Sequence, residues 1–125
     1  MDREEFVAAL TLLAKRTVPG TVDVLRTPPG RGPWPSLVRQ SEWFNGLAEG
    51  DQAMVAEVMD VAAYGAVHAV FCAFDGITAI DLDHGDFVLQ HSAPDGTVTL
   101  LHGPDSNASL DELHSLMQGT WFPFA

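Results

Sequence analysis

The N-terminal segment combines a helical pattern with a strong breaker. Apolar residues at three- and four-residue spacing predict a helix over residues 2–16. Asp2 and Glu5 have the spacing of a capping box at its start, and Pro19-Gly20 is a stop signal after its end. The alternating, β-branched run at 21–26 then predicts a short strand.

The central part of the chain predicts one long helix over residues 51–74, ended by Asp75-Gly76. A short helix is predicted before it, at 41–47. Residues three and four positions apart lie on one face of a helix, which gives the long helix an apolar side. The positions predicted to face the core are Val55, Met59, Ala62, Ala66, Val70 and Ala73.

Short alternating runs after the long helix predict a small antiparallel sheet. Pro94-Asp95-Gly96 predicts a hairpin turn in which Ala93 faces Thr97. Both faces of the hairpin carry apolar residues, so we expect the sheet to be covered on both sides. The three predicted strands span residues 77–82, 86–92 and 97–102.

A last helix is predicted over residues 109–118, with Ser109 and Glu112 as its capping box. The element order is then α-(β)-α-α-β-β-β-α. This order predicts one α+β domain over residues 1–125, in which a small antiparallel β-meander packs against a long central helix flanked by N- and C-terminal helices. Four Pro and two Gly predict an irregular loop at 27–36.

The length suits a single domain whose core needs no disulfide or metal to fold. Cys72 is the single cysteine, and the polar start of the chain predicts no signal peptide. The longest nearly apolar stretch, at 61–74, is shorter than the roughly 20 residues of a membrane-spanning helix. We therefore expect a cytoplasmic bacterial protein that makes no membrane contact.

The charge is distributed unevenly along the chain. All six Lys and Arg and four acidic residues lie in the first 39 positions, whereas residues 40–125 carry thirteen acids and no Lys or Arg. Nucleic acid is excluded as a ligand because its binding needs concentrated positive charge. A basic protein partner is favoured, although excess acid can also serve solubility alone. The predicted acidic contacts are Glu57, Asp60, Asp81, Asp83 and Asp86.

One motif series resembles a small family of uncharacterised bacterial proteins. The residues are Trp43-Phe44-Asn45 with Leu47, then Asp51 and Val55, then the helix end at Asp75-Gly76. They are similar to that family's pattern of W-[FY]-N-x-L, D-x-x-x-V and D-G. The likeness covers residues 43–102 and implies a recurring fold. It carries no established activity and therefore transfers no functional residue.

A polar row on the long helix is a candidate ligand site. Glu57, Asp60, Tyr64, His68 and Cys72 stand at offsets 0, 3, 7, 11 and 15, which places them on one face. The candidate site is formed by Tyr64, His68 and Cys72, with Cys72 as a thiolate. The alternative is that Glu57, Asp60 and Tyr64 form a solvated edge of the helix while His68 and Cys72 pack in the core. No metal, cofactor or catalytic residue is predicted, because no zinc, nucleophile-elbow or phosphate-loop motif occurs.

Two further apolar features leave internal packing and association open as alternatives. The terminal aromatics Trp121, Phe122 and Phe124 either seal the core or anchor a partner. A stripe of small residues on the long helix favours close packing inside the domain or the seam of a homodimer. The stripe is Ala62, Gly65, Ala66, Ala69 and Ala73.

Together these patterns predict a non-enzymatic, acidic interaction protein that binds a basic protein, as an inhibitor or immunity-like protein would. The first alternative is a small enzyme or ligand-binding domain built on Tyr64, His68 and Cys72. The second is a subunit of a homo-oligomeric structural protein.

Overall fold

A computed structural model of the chain describes residues 1–78, 80, 85–103 and 112–121. It confirms a small α+β fold with a long central helix. The chain divides into two compact units: unit 1 comprises Met1–Leu13 and Tyr64–Ala125, and unit 2 comprises Ala14–Ala63. The elements are α1 (Arg3–Arg26), α2 (Pro35–Asn45), α3 (Glu49–Phe74), β1 (Leu89–Ser92), β2 (Val98–His102) and α4 (Leu113–Trp121).

The capping box predicted at the start of α1 is confirmed. The Glu5 backbone N–H donates to Asp2 Oδ1 at 2.8 Å, and the Asp2 backbone N–H donates to Glu5 Oε2 at 3.0 Å. The predicted stop at Pro19-Gly20 and the predicted strand at 21–26 are wrong, because α1 continues through Pro19 to Arg26. Local breakers therefore did not decide this segment.

Packing in unit 2 explains why the helix survives its proline. A proline inside a helix costs about 3 kcal/mol. Val22 and Leu25, one and two turns later, are buried in a cluster with Leu37 and Phe44. Burying each aliphatic side chain stabilises the fold by about 1.5–3 kcal/mol, which offsets the proline. The strand alternative would have turned these two side chains to opposite faces.

Helix α2 begins earlier than predicted, and two of its side chains donate hydrogen bonds to the last carbonyl groups of α1. It starts at Pro35, a favoured residue for the first turn of a helix, so the irregular loop is shorter than predicted. Ser41 Oγ donates to the Leu25 carbonyl at 2.5 Å, and Asn45 Nδ2 donates to the Arg26 carbonyl at 3.2 Å. With Phe44 in the core, the W-F-N motif therefore has a structural role in unit 2.

Helix α3 ends as predicted, at a glycine in the left-handed region. Gly76 has φ +77°, and its N–H donates to the Ala73 carbonyl while the Ile77 N–H donates to Cys72. This pair of bonds is the Schellman arrangement. Its predicted core face is wrong in part: Ala62, Ala66 and Val70 are exposed, and of the predicted positions only Ala73 is fully buried.

The hairpin turn is confirmed in detail. The Ala93 N–H donates to the Thr97 carbonyl at 2.8 Å, and the Gly96 N–H donates to the Ala93 carbonyl at 2.9 Å. Gly96 has φ +89°, which is the glycine bulge of a three-residue hairpin. Asp95 Oδ1 accepts the Thr97 N–H, and this bond lowers the pKa of the Asp95 carboxyl. Of the predicted strand at 77–82, residues 77, 78 and 80 are described and are not strand.

The predicted two-sided cover of the hairpin is wrong. Leu89, His91, Thr99 and Leu101 turn inward, whereas Gln90, Val98 and Leu100 are exposed. A β-bulge shifts the register between Leu89 and Gln90, so that Leu89 pairs with His102. His102, which strict alternation would place outside, is half-buried as a result.

Helix α4 is capped by a residue from a distant part of the sequence. Its described start is Leu113, and the predicted cap Ser109 lies outside the described residues. Asp75 Oδ1 accepts the Leu113 N–H at 3.2 Å, and Oδ2 accepts the His114 N–H at 2.9 Å. Gly119, the predicted end, lies inside the helix. Asp75 therefore directly follows α3 and caps the first turn of α4.

Candidate functional site

The two units carry very different charges. Unit 2 contains five Lys and Arg against six acids, a net charge of −1. Unit 1 contains eleven acids and the single cation Arg3, a net charge of −10. Of the thirteen acids in residues 40–125, eight belong to unit 1, and the other five lie in unit 2 together with five Lys and Arg. Arg3 donates from Nε to the Leu101 carbonyl at 2.7 Å, so its guanidinium is engaged within the unit.

The outer face of the hairpin is an apolar surface of this acidic unit. We call it the hairpin face and define it by Val88, Val98 and Leu100, all exposed. A Cβ at Gly103 would lie 3.4 Å from Leu100 and 3.8 Å from Val88, so both side chains border the same glycine. Asp86 is exposed two residues before Val88, and Asp95 is exposed in the turn.

The described members of the predicted acidic contacts are divided between the two units. Asp86 belongs to unit 1, near the hairpin face in sequence. Glu57 is exposed and Asp60 half-buried, and both belong to unit 2. Asp81 and Asp83 lie outside the described residues.

The aromatic tail is represented by one described residue. Trp121 is buried in unit 1, with its ring edge-to-face against Tyr64 at 5.5 Å between centroids. It therefore seals the core of this unit and presents no exposed anchor. Phe122 and Phe124 lie outside the described residues.

The predicted ligand site on α3 does come together. Tyr64 stacks on His68 at 5.2 Å between ring centroids, and His68 Nδ1 lies 3.6 Å from Cys72 Sγ. Burial raises the pKa of the Cys72 thiol, and the carboxylates of Asp75 and Glu112 raise it further. A reactive cysteine needs a lowered pKa, so the raised pKa of Cys72 does not favour the thiolate of the enzyme alternative.

A second polar cluster, which sequence spacing did not reveal, surrounds Asp75. Its carboxylate is fully buried, and His114 Nδ1 lies 2.7 Å from Oδ2. His102 Nδ1 lies 3.4 Å from Oδ1, while Glu112 Oε2 lies 3.3 Å from His114 Nδ1. We call these four residues the Asp75 cluster. It unites the end of α3, the end of β2 and the start of α4.

A half-open pocket of about 150 Å³ adjoins the Asp75 cluster. Asp75 and His102 form part of its wall, and Asp86 also lines it. Tyr64 and Cys72 do not line this pocket. This pocket therefore lies beside the Asp75 cluster and not on the predicted α3 row.

The Asp75 cluster has the connectivity of a hydrolytic triad but not its geometry. Asp75 accepts from His114 Nδ1, and His114 Nε2 lies 3.5 Å from Ser115 Oγ. A working nucleophile and base approach to about 2.6–3.2 Å. Ser115 also follows His114 directly on the same helical turn. The arrangement does not support Ser115 as a nucleophile.

No protein-family model, curated protein or solved structure matches the chain. The resemblance carried by the W-F-N motif therefore stays a prediction.

Helix α3 exposes a second apolar surface in unit 2. We call it the α3 face and define it by Met54, Val58, Val61 and Ala62, all exposed. By length and composition alone, the helix is long and apolar enough to cross a membrane, with a mean hydropathy of 1.4 in its most apolar 18-residue window, 11% of which is buried. Core helices of soluble proteins also reach this length and apolarity.

Proposed function

We propose that the chain is a non-enzymatic interaction protein whose unit 1 binds a basic segment of another protein. The observation that carries this proposal is the net charge of −10 on unit 1, which contains one Arg. Such a charge raises the rate of encounter with a cationic partner and repels a second copy of the same unit.

The hairpin face supplies the apolar part of the binding surface. Val88, Val98 and Leu100 are large, exposed and uncharged, while Asp86 and Asp95 are exposed beside them in the sequence. Apolar contacts provide affinity, and acidic neighbours select Lys and Arg over Asp and Glu. The partner is therefore expected to carry alternating apolar and basic side chains.

The test uses a labelled peptide of alternating Lys and Val, compared with its Glu and Val analogue, in fluorescence anisotropy. We expect the lysine peptide to bind and its affinity to fall as salt rises from low to physiological concentration. Leu100→Ser and Asp86→Asn should each weaken binding. Asp23→Asn, at an exposed acid of unit 2, is the matched control and should leave binding unchanged.

Three results would contradict the proposal. The first is equal binding of the lysine and glutamate peptides, and the second is an affinity that does not change with salt. The third is an effect of Asp23→Asn as large as that of Asp86→Asn, which would mean that the peptide responds to total charge and not to the hairpin face.

The α3 face supports a second candidate function, self-association through unit 2. Unit 2 has a net charge of only −1, so two copies would repel each other little. Val58→Glu should then convert dimers to monomers in light scattering. Ala53→Glu is the control, because Ala53 is exposed about 100° around the helix from Met54. A wild-type chain that is monomeric at every concentration would exclude this function.

A further inference from the structure

The ligand atoms of the Asp75 cluster are spaced for a metal ion. Asp75, Glu112 and His114 each place a donor atom within 4.8 Å of the other two. At metal–ligand distances of about 2.0–2.2 Å, tetrahedral zinc holds its ligands about 3.3–3.5 Å apart. His114 Nδ1 is already 3.3 Å from Glu112 Oε2 and 2.7 Å from Asp75 Oδ2. The distance from His114 Nδ1 to Asp75 Oδ2 would have to lengthen by less than about 1 Å to reach this spacing.

His102 gives an independent indication of a binding site. Its Nδ1 atom is buried and has no hydrogen-bond partner. It lies 3.4 Å from Asp75 Oδ1, but without the geometry of a hydrogen bond. A buried nitrogen in this state costs free energy, and a cation shared with Asp75 would give it a partner. The bulge in β2 is what turns His102 toward this position.

The burial of Asp75 also supports a bound cation. Its side chain is fully inaccessible, and it contacts two backbone N–H groups and two imidazoles. An ionised carboxylate without a firm countercharge is costly to bury. A divalent cation would supply that charge. The carboxylate can keep its bonds to α4, since each of its oxygens has two lone pairs.

The donor set selects the kind of metal. Magnesium and calcium prefer all-oxygen sites, whereas mixed imidazole and carboxylate ligands suit zinc and its neighbours. A pocket lined by Asp75 and His102 adjoins the cluster. We propose that Asp75, Glu112 and His114 bind a divalent transition-metal ion of the zinc class, with the His102 imidazole next to Asp75. This inference is independent of the proposed partner binding.

The test is calorimetric titration of the full chain with zinc chloride after removal of metals with a chelator. We expect one zinc per chain, with magnesium and calcium binding at least ten-fold more weakly. Glu112→Gln and His114→Gln should each lower zinc affinity at least ten-fold, because even outer-shell changes at zinc sites cost about 10–100-fold. Neither variant removes the backbone bonds from α4 to Asp75, so both should fold.

Glu57→Gln is the matched control, because Glu57 is an exposed glutamate of unit 2. Cobalt substitution should give visible absorption without a thiolate charge-transfer band, since Cys72 is not in the ligand set. The proposal is overturned if the chain shows no heat of zinc binding, or if Glu112→Gln binds zinc as tightly as Glu57→Gln. A thiolate band would also overturn the ligand set.

Discussion

Replacing Asp75 should separate α4 from the rest of unit 1. In Asp75→Ala the backbone N–H groups of Leu113 and His114 lose their acceptor, as does His114 Nδ1. A hydrogen bond to a charged group contributes about 1.5–3 kcal/mol. The loss of a negative charge at the start of a helix adds about 0.3–1 kcal/mol. Because replacing the buried carboxylate also removes the cost of desolvating it, we expect a total loss of about 3–5 kcal/mol.

The assay follows urea unfolding by fluorescence in a Trp34→Phe, Trp43→Phe background. Trp121 is then the single tryptophan, and it reports on α4 because it is buried against Tyr64. In the Asp75→Ala variant, the emission of Trp121 should shift to longer wavelength at a lower urea concentration than in the same background with Asp75 intact. Asp75→Asn keeps one acceptor oxygen and should lose about half as much stability.

Asp86→Ala is the control, since Asp86 is an exposed acid of the same unit. Surface changes of that kind usually stay within about 0.5 kcal/mol. If Asp75→Ala and Asp86→Ala have the same unfolding midpoint, the carboxylate does not hold α4 and the reasoning is refuted.

Three shorter predictions follow from packing, backbone geometry and thiol chemistry. Phe44→Ala should lower the free energy of unfolding by about 3–5 kcal/mol, since the ring is fully buried in unit 2. Trp43→Ala changes an exposed neighbour and should lower it by less than about 1 kcal/mol in the same denaturation experiment. Gly96→Ala should cost about 1–2 kcal/mol because φ is +89°, and a thermal midpoint equal to wild type would contradict it. Cys72 should react with iodoacetamide at neutral pH much more slowly in the folded chain than in urea, because its thiol is buried and its pKa is raised; equal rates would show the thiol to be accessible.

Sequence patterns determined the features that depend on neighbouring residues. The capping box of Asp2 and Glu5 and the hairpin turn at Gly96 were predicted, as was the end of α3 at Gly76. Each depends on hydrogen bonds or a backbone angle within a few residues. The acidic excess was also visible in the sequence, because charge is a property of composition.

Tertiary packing decided the features in which distant residues compete with local signals. Pro19 predicted a stop, yet burial of Val22 and Leu25 carried α1 past it. The polar row at Tyr64, His68 and Cys72 was visible in the spacing of one helix. The Asp75 cluster was not, because its members come from three elements up to 39 positions apart in the sequence.

The one local indication of the Asp75 cluster was the acidic residue just before Gly76, and its position indicated only the end of a helix. The part that His102 plays could not be predicted, because a bulge in β2 turns its side chain to the face opposite the one that alternation predicts. Likewise, only folding assigned five of the six cations to unit 2 and left unit 1 with a charge of −10. Short-range hydrogen bonds can be read from adjacent residues, but burial and charge grouping depend on which segments pack together, and that is set by the whole chain.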